Sequence, residues 1–331
     1  MIDKILIFRT DRIGDLILTC PTIISIKNYF KKCDITLITS NKNYEYAKSL
    51  NLFDDVIKFP KDNIINKIKF IYNLNKKKFD YIYVFDGKER SILAAAFIKS
   101  RIKVALSNSI KIHYKFSKIK FFNDNENTNL NEIFQEMLTY SNVKKKIDNY
   151  NFIKNKKNNN FSNKIPIDKY IHIHLDEKWF NHLYIPSYTN INPGLNNFTN
   201  FLDDLSKHED ILITTGLVKI DLINELINEK VFEKIDTNIF FKKNNTKSIY
   251  LVNKPSFDDI ESLLRNSKKL ISCHGAITHA ANSLDVQIID IIEKDKKLFY
   301  QRFTSYLKMY TYIYRENFNS MKNILLDKLN E

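Results

Sequence analysis

The chain has 331 residues and a mass of 39.3 kDa, which at roughly 150 residues per domain predicts about two domains. Hydrophobic residues make up 44% of it, and glycine and proline are scarce, so a disordered or collagen-like chain is excluded. Residues 1–165 hold 31 Lys and Arg against 16 Asp and Glu, whereas residues 166–331 hold 21 against 22. A compositional bias would load both halves alike. We therefore expect the first half to meet an anionic partner: membrane phosphate, a phosphorylated glycan or nucleic acid.

Apolar runs alternate with helical patterns along the first half. Residues 5–8 form a continuous apolar run bounded by charge, which predicts a buried parallel strand. The polar loop 9–15 follows it, and apolar residues then recur at helical spacing from Leu16 to Tyr29. The next predicted elements are strands at 34–39 and 81–85, a helix at 91–98 and a strand at 103–106.

Residues 142–165 are rich in Asn and Lys, and this composition predicts an interdomain linker. The alternation then resumes. Strands are predicted at 170–175, 210–216, 248–251, 269–272 and 286–292, and helices at 200–206, 257–266, 277–284 and 318–329. This pattern predicts an α/β fold with two Rossmann-like domains, at 1–160 and 161–331. Ligands of such sheets bind at the carboxyl ends of strands, so we expect the two domains to face each other across a cleft that holds the site.

The cysteines and the hydropathy pattern bear on location. Cys20, Cys33 and Cys273 form no CxxC pair, which favours a reducing cytoplasm. No apolar run reaches the roughly 18 residues of a membrane span, and the start lacks a signal-peptide pattern. We expect a cytoplasmic protein, in solution or peripheral on the inner membrane.

The first candidate site is the turn from Arg9 to Asp15. Gly14 allows a tight turn and close approach to a ligand, and Asp15 falls at the carboxyl edge of the first strand. The alternative is that Asp15 only caps a helix. The chain has neither GxxxxGK[ST] nor GxGxxG, which argues against an ATPase and a standard NAD enzyme.

Two further candidates lie in the second half. From Ser272 to Ala281 a strand ends, Gly275 turns and a helix of small residues begins, so free backbone N–H groups there suit a diphosphate. His279 could hydrogen-bond a phosphate, although a structural role is the alternative. His274 and His279 are five residues apart, which does not favour a metal. Lys178 follows the first strand of this half and would neutralise a leaving phosphate, unless it is an ordinary exposed lysine.

A basic stretch runs from Arg90 to Asn123 and contains no acid. Its aromatic residues and lysines fit either nucleic-acid binding or membrane-surface binding, with a solvated basic face as the alternative.

Residues 5–27, ILIFRTDRIGDLILTCPTIISIK, resemble the opening of glycosyltransferase family 9, the heptosyltransferases. Four later segments resemble that family's other signatures in the same order. These are Phe85-Asp86-Gly87 with Arg90-Ser91, Lys178-Trp179, residues 212–216, and residues 255–281.

The resemblance implies the GT-B fold and metal-independent, inverting transfer from a nucleoside-diphosphate sugar to a lipopolysaccharide or other cell-envelope glycan. Domain 1–160 would bind the acceptor and domain 161–331 the donor, with the C-terminal helix packing back on the first domain. Asp15 would be the general base, and no cofactor or metal is implied. The donor-binding residues would be Lys178, Thr215, Gly216, His274, Gly275, Ala276, Thr278 and His279. The acceptor-binding residues would be Arg9, Thr10, Asp11, Arg12, Gly14, Asp86 and Arg90.

One departure from the family pattern D-T-G-x-x-H stands at residues 274–279, where no carboxylate is present. The sequence therefore leaves the sugar and the nucleotide open. Two other readings remain: a non-catalytic nucleotide-binding homologue, and a nucleic-acid-binding protein that uses the 90–123 stretch.

Overall fold

The computed structural model of the chain describes residues 3–61, 63–107, 115–116, 118–121, 129–143 and 151–330. The chain divides into two compact units, Met1–Phe152 with Gln301–Ser305, and Ile153–Tyr300 with Tyr306–Glu331. The division after Phe152 lies ahead of the predicted boundary at 160, so residues 153–160 belong to the second unit.

The first unit is a parallel sheet in the strand order β3-β2-β1-β4-β5-β6 within the described residues. The predicted apolar run at residues 5–8 lies in β1 of this sheet, and all four of its side chains are fully buried. The elements are β1 (Asp3–Arg9), α1 (Ile13–Tyr29), β2 (Cys33–Thr39), α2 (Tyr44–Ser49), β3 (Asp55–Lys58), α3 (Ile64–Lys77), β4 (Tyr81–Val84), α4 (Glu89–Phe97), β5 (Ile102–Ser107), β6 (Lys118–Phe121) and α5 (Leu130–Thr139).

The second unit is a larger sheet in the order β14-β13-β12-β7-β8-β11-β10-β9, again within the described part of the chain. It is parallel except where β10 pairs with β11 and β9. Its elements are β7 (Tyr170–Leu175), α6 (Leu195–Leu205), β8 (Asp210–Thr215), α7 (Asp221–Asn228), β9 (Glu233–Lys234), β10 (Ile239–Asn244), β11 (Lys247–Val252), α8 (Phe257–Leu264), β12 (Ser267–Cys273), α9 (Ala276–Ser283), β13 (Gln287–Ile292), β14 (Tyr310–Tyr314) and α11 (Phe318–Asn330). Helix α10 (Lys297–Thr304) begins in the second unit, and its residues from 301 onward belong to the first. The alternation predicted from the sequence is confirmed in both units.

Residues 151–165 are not the linker that their composition predicts. The Lys156 amine lies 2.5 Å from Asp258 Oδ1 and 2.6 Å from Glu261 Oε2, both on α8. The Ser162 amide donates to the Ser262 hydroxyl at 3.0 Å. The lysine side chain is therefore part of the packing against α8, and composition alone misread it. Residues 144–150 lie outside the described residues.

The C-terminal helix α11 puts its apolar side in the core of the second unit. Phe318 packs edge-on against Phe198 and Phe201 of α6, with ring centroids 6.1 and 5.4 Å apart. Met321 and Leu325 join the same cluster. Helix α11 therefore belongs to the second unit, and its return to the first domain stays a prediction. No helix in the described residues has the length and apolar content of a membrane span.

Candidate functional site

In the first unit, Arg9 organises the corner where β1 ends. Its guanidinium is buried and donates through Nη1 to the Phe85 carbonyl at 2.7 Å and through Nε to the Asp15 carbonyl at 2.9 Å. It also lies 5.3 Å above the Phe134 ring. Arg9 therefore ties β1 to the end of β4 and to the first turn of α1.

Asp86 holds the same loop from the β4 side. Its Oδ2 accepts hydrogen bonds from the Thr10 amide at 3.0 Å, the Thr10 hydroxyl at 2.6 Å and the Ser91 hydroxyl at 2.7 Å. Arg90 Nη2 donates to the Thr10 carbonyl and lies 3.0 Å from the Thr10 hydroxyl oxygen. The sequence-predicted residues Thr10, Asp86 and Arg90 thus form one network, and much of their hydrogen-bonding capacity supports the loop itself.

Asp15 lies in the first turn of α1 and is about one-third exposed. Its Oδ2 accepts from the Arg12 amide at 3.1 Å, so Asp15 supports the start of the helix from its third position, while the N-cap residue itself is Arg12. Its Oδ1 lies 3.8 Å from Arg9 Nη2 and has no closer ion-pair partner among the described residues. One carboxylate oxygen therefore caps the helix, and the other faces the Arg9 guanidinium. Gly14 provides the preceding residue of the turn.

Asp11 is the more buried acid of this loop. Its Oδ2 lies 3.3 Å from Arg9 Nη1, and its buried Oδ1 has no hydrogen-bond partner within the described chain. Burial raises the pKa of Asp11 to about 7; Arg9 opposes the shift, while Asp15 and Asp86 add to it. The sequence grouped Asp11 with the acceptor-binding residues but contained no sign of this shift.

In the second unit, the side chain of Lys178 is held in place by an ion pair with Asp176. Asp176 Oδ1 accepts from the Lys178 amide at 3.1 Å, and Asp176 Oδ2 lies 2.5 Å from the Lys178 amine. Burial disfavours the ammonium, but the adjacent Asp176 carboxylate outweighs burial and raises the pKa of Lys178. The lysine is therefore not the ordinary exposed residue of the alternative reading.

Gly275 lies directly beside that cation, at the start of α9. A Cβ atom built on Gly275 would be 2.6 Å from Lys178 Nζ, so the glycine leaves the space that the amine occupies. The Gly275 amide donates to the Thr278 hydroxyl at 3.2 Å. Ala276 is the first residue of α9. The predicted donor residues 178, 275, 276 and 278 are thus brought together.

Gly216 has a similar spatial role at the end of β8. A Cβ atom there would be 3.0 Å from the Asp176 Cβ and from Glu177 Oε2. Thr215, just before it, donates its hydroxyl to Asn253 Oδ1 at 2.9 Å and accepts from the Lys254 amide at 2.7 Å. Thr215, Asn253 and Lys254 are among the residues that line a cavity of about 170 Å³ at the carboxyl ends of β8 and β11.

The two histidines of the α9 block are both held by neighbours. His274 Nδ1 lies 2.7 Å from Oδ2 of Asp290, a fully buried residue of β13. His279 Nδ1 lies 2.7 Å from the Tyr306 hydroxyl, and burial lowers the pKa of His279 well below its usual range. The carboxylate that the sequence lacks at residues 274–279 is thus supplied beside His274 by a neighbouring strand.

Sequence reasoning assigned no role to Asp176, Asp290 or Arg315. Arg315 donates to the Lys178 carbonyl and, through Nε, to the Thr189 carbonyl at 2.6 Å, so it braces the turn that carries Lys178. Only Asp176 carried a local signal, its place two residues before Lys178. The other two lie far along the chain and are recognisable only through contacts.

A buried polar row extends from Asp176 into the sheet. His172 Nε2 and His174 Nδ1 lie 2.7 and 2.9 Å from the Thr214 hydroxyl oxygen, and His174 Nε2 lies 3.6 Å from Asp176 Oδ2. Burial lowers the pKa of His174 to about 4 despite the nearby Asp176. Both histidines are therefore neutral structural groups.

Burial raises the pKa of the Cys273 thiol to about 12, so it is not an activated nucleophile. Within the described ranges, no group of three or more His, Cys, Asp or Glu side chains is arranged to hold a metal. Residues 108–114, 117, 122 and 123 of the 90–123 basic stretch, which include Lys111 and Tyr114, lie outside the described residues, and the binding role of the stretch stays a prediction.

Comparison with protein-family models and with curated proteins found no match. Solved structures do match. The ADP-heptose lps heptosyltransferase II of E. coli is 11% identical, with a TM-score of 0.69 over 99% of this chain and 97% of that one. A glycosyl transferase family 9 protein from Veillonella parvula is 13% identical, with a TM-score of 0.68 over 98% of this chain and 89% of that one. The chain therefore has the fold of these proteins, and the predicted fold class, two Rossmann-like domains of the GT-B type, is confirmed.

A different activity occurs on a related fold. The UDP-GlcNAc 2-epimerase from Methanocaldococcus jannaschii is 14% identical, with a TM-score of 0.58 over 99% of this chain and 92% of that one. Fold alone does not separate transfer from epimerisation.

Proposed function

We propose that the chain is an inverting, metal-independent glycosyltransferase. It moves a sugar, heptose or a related one, from a nucleoside diphosphate to an anionic lipopolysaccharide or cell-envelope glycan at the cytoplasmic side of the inner membrane. The heptosyltransferase fold supports sugar transfer. The observation that supports binding of the sugar donor is the position of the Lys178 ammonium, which Asp176 holds beside Gly275 at the start of α9.

The donor diphosphate would bind at this cation. A helix start presents free N–H groups and a partial positive charge, and Gly275 keeps the backbone open to close approach. When the bond between the anomeric carbon and the phosphate oxygen breaks, the leaving diphosphate gains negative charge. Lys178 would stabilise that charge without a metal.

Asp15 would act on the acceptor. Its Oδ1 would take the proton of the acceptor hydroxyl as that oxygen forms the new bond to the anomeric carbon, a contribution of about 10²–10⁴-fold. The cations Arg9, Lys88 and Arg90 surround the same loop, and they suit a phosphorylated acceptor.

The donor role is tested by thermal shift with ADP, UDP, ADP-heptose and UDP-GlcNAc. A ligand that binds only the native state raises its stability, so one nucleotide should shift the unfolding temperature. Lys178→Met should abolish that shift, while Lys169→Met, an exposed lysine before β7, should retain it. No shift with any of the four compounds would contradict the donor assignment.

The transfer reaction is tested with the bound nucleotide sugar and heptose-deficient lipopolysaccharide, with EDTA present. Asp15→Asn should lower turnover by about 10²–10⁴-fold and keep nucleotide binding, while Asp34→Asn, exposed on β2, should match wild type. Full turnover by Asp15→Asn removes it from the mechanism. Isomerisation of the nucleotide sugar without acceptor would instead identify an epimerase.

A further inference from the structure

Helix α3 exposes most of its apolar side chains. Ile64, Ile65, Ile68 and Tyr72 are between 57% and 67% exposed. The helix is held to the core by a different set, the buried Leu74 with the partly buried Phe70 and Ile71. Ile64, Ile65, Ile68 and Tyr72 are therefore not part of the buried core of the first unit.

These exposed residues form one stripe. At about 100° per residue, Ile64, Ile68, Tyr72 and Ile65 fall within an arc of about 100° that borders the core-facing side of α3. Lys69 and Lys76 lie just beyond the far edge of that arc, and the Lys76 amine is 4.4 Å above the Tyr72 ring. The helix contains no Asp or Glu.

Helix α4 extends the same surface. Asn75 Nδ2 donates to the Phe97 carbonyl at 3.1 Å, and the Lys99 amide donates to Asn75 Oδ1 at 2.7 Å, so the end of α4 lies beside α3. On α4, Phe97 is 60% and Leu93 47% exposed. We name these six exposed side chains the α3–α4 surface: Ile64, Ile65, Ile68, Tyr72, Leu93 and Phe97.

We propose that the α3–α4 surface rests on an anionic lipid bilayer, with its apolar side chains in the headgroup region and Lys69, Lys76 and Lys99 at the phosphates. A contiguous apolar patch of this kind marks an interaction surface. The charged residues that border the stripe on α3 are basic, as is typical of an amphipathic helix that binds anionic lipid, and α4 adds one acid to the surface, Glu89. A symmetric second copy would bring the basic rims of two α3 helices towards each other, which charge repulsion disfavours.

The charge of the chain supports this partner. The excess of basic residues lies entirely in residues 1–165, the half that contains α3 and α4. The inference goes beyond the proposed function and does not depend on it, because it concerns binding of the full chain to lipid without any sugar donor.

The test is sedimentation of the full chain with phosphatidylcholine vesicles that contain about 30% phosphatidylglycerol, against phosphatidylcholine alone. The wild-type chain should bind the anionic vesicles, and binding should fall at high salt. The double variant Ile68→Glu/Lys69→Glu should lower the partition coefficient by at least about tenfold.

The matched control is Lys234→Glu/Ile235→Glu, an equally charged change at an exposed Lys-Ile pair of the second unit. It should bind vesicles as wild type does. Circular dichroism and thermal unfolding establish that both variants fold. Equal loss in the two double variants, no loss at α3, or no preference for anionic lipid would overturn the proposal. A change of sedimentation coefficient without a change in vesicle binding would instead identify a second copy as the occupant.

Discussion

Arg9 and Asp15 are joined twice: Arg9 Nε donates to the Asp15 carbonyl at 2.9 Å, and Arg9 Nη2 lies 3.8 Å from Asp15 Oδ1. Among the described residues, the side chain that closes the corner between β1 and α1 is therefore also the nearest cation to the proposed base. Arg9 in addition contacts the Phe85 carbonyl and Asp11, a fork of contacts that a lysine cannot reproduce.

Arg9→Lys should destabilise the fold by about 2–3 kcal/mol, because buried acceptors lose a charged donor. Urea unfolding measures this loss. Arg101→Lys, whose guanidinium contacts the Tyr81 hydroxyl nearer the surface, should cost under about 1 kcal/mol. Equal costs would show that the contacts of Arg9 do not stabilise the corner.

Asp11 should make stability fall as the pH rises. Its folded pKa of about 7 lies above its unfolded value. The stabilisation that Asp11 contributes is therefore fully present below about pH 4 and is lost as the pH rises through 7. Asp11→Asn removes this titration, so its stability relative to wild type should improve by a few kcal/mol between about pH 4 and pH 8. Unfolding in urea across that range checks it, with Asp34→Asn as the control. A pH-independent difference would contradict the raised pKa.

His174 should contribute in the opposite direction. Its folded pKa of about 4 lies below its unfolded value near 6.5, so its stabilisation is present above that value and is lost as the pH falls towards 4. Between about pH 6 and 4.5, His174→Gln should reduce the pH slope of the unfolding free energy by about 1.4 kcal/mol per pH unit. An unchanged slope in His174→Gln would contradict the lowered pKa of His174.

Gly275→Ala should weaken nucleotide binding and spare the fold. The added methyl group meets the end of the flexible Lys178 side chain, which moves away from its position beside α9. We expect an affinity for the bound nucleotide about tenfold lower by calorimetry, and an unfolding temperature close to that of wild type. Gly194→Ala should keep the nucleotide affinity and lower the unfolding temperature. Gly194 has a positive φ, which strains an alanine, even though nothing lies within 4 Å of its Cβ position. Unchanged affinity in Gly275→Ala would separate Lys178 from nucleotide binding.

The sequence predicted the elements whose signal is local. The apolar run at residues 5–8 and the helical spacing after Gly14 correctly located β1 and α1, and the corner between them. Helix α3 was not predicted, because its apolar side chains do not follow one buried side. Residues 151–165 were misassigned because a buried lysine such as Lys156 is recognisable only from its acidic partners on α8.

The residues of the candidate site also fall into those that the sequence identified and those that only the contacts reveal. Lys178 and Gly275 were identified from motifs, but the acids that act on this region, Asp176 and Asp290, were not. The position of Asp290 on β13 puts it beside His274 only after β12 and β13 pair. The raised pKa of Asp11 likewise depends on burial and on charges from Asp86, far along the chain.

The exposure of Ile64, Ile65, Ile68 and Tyr72 has a practical consequence for handling the purified chain. Exposed apolar side chains on one molecule associate with those on another in aqueous buffer, so we expect the purified chain to aggregate at high concentration. A mild detergent or lipid nanodiscs in the preparation should keep the chain monodisperse, and the Ile68→Glu/Lys69→Glu variant should need neither.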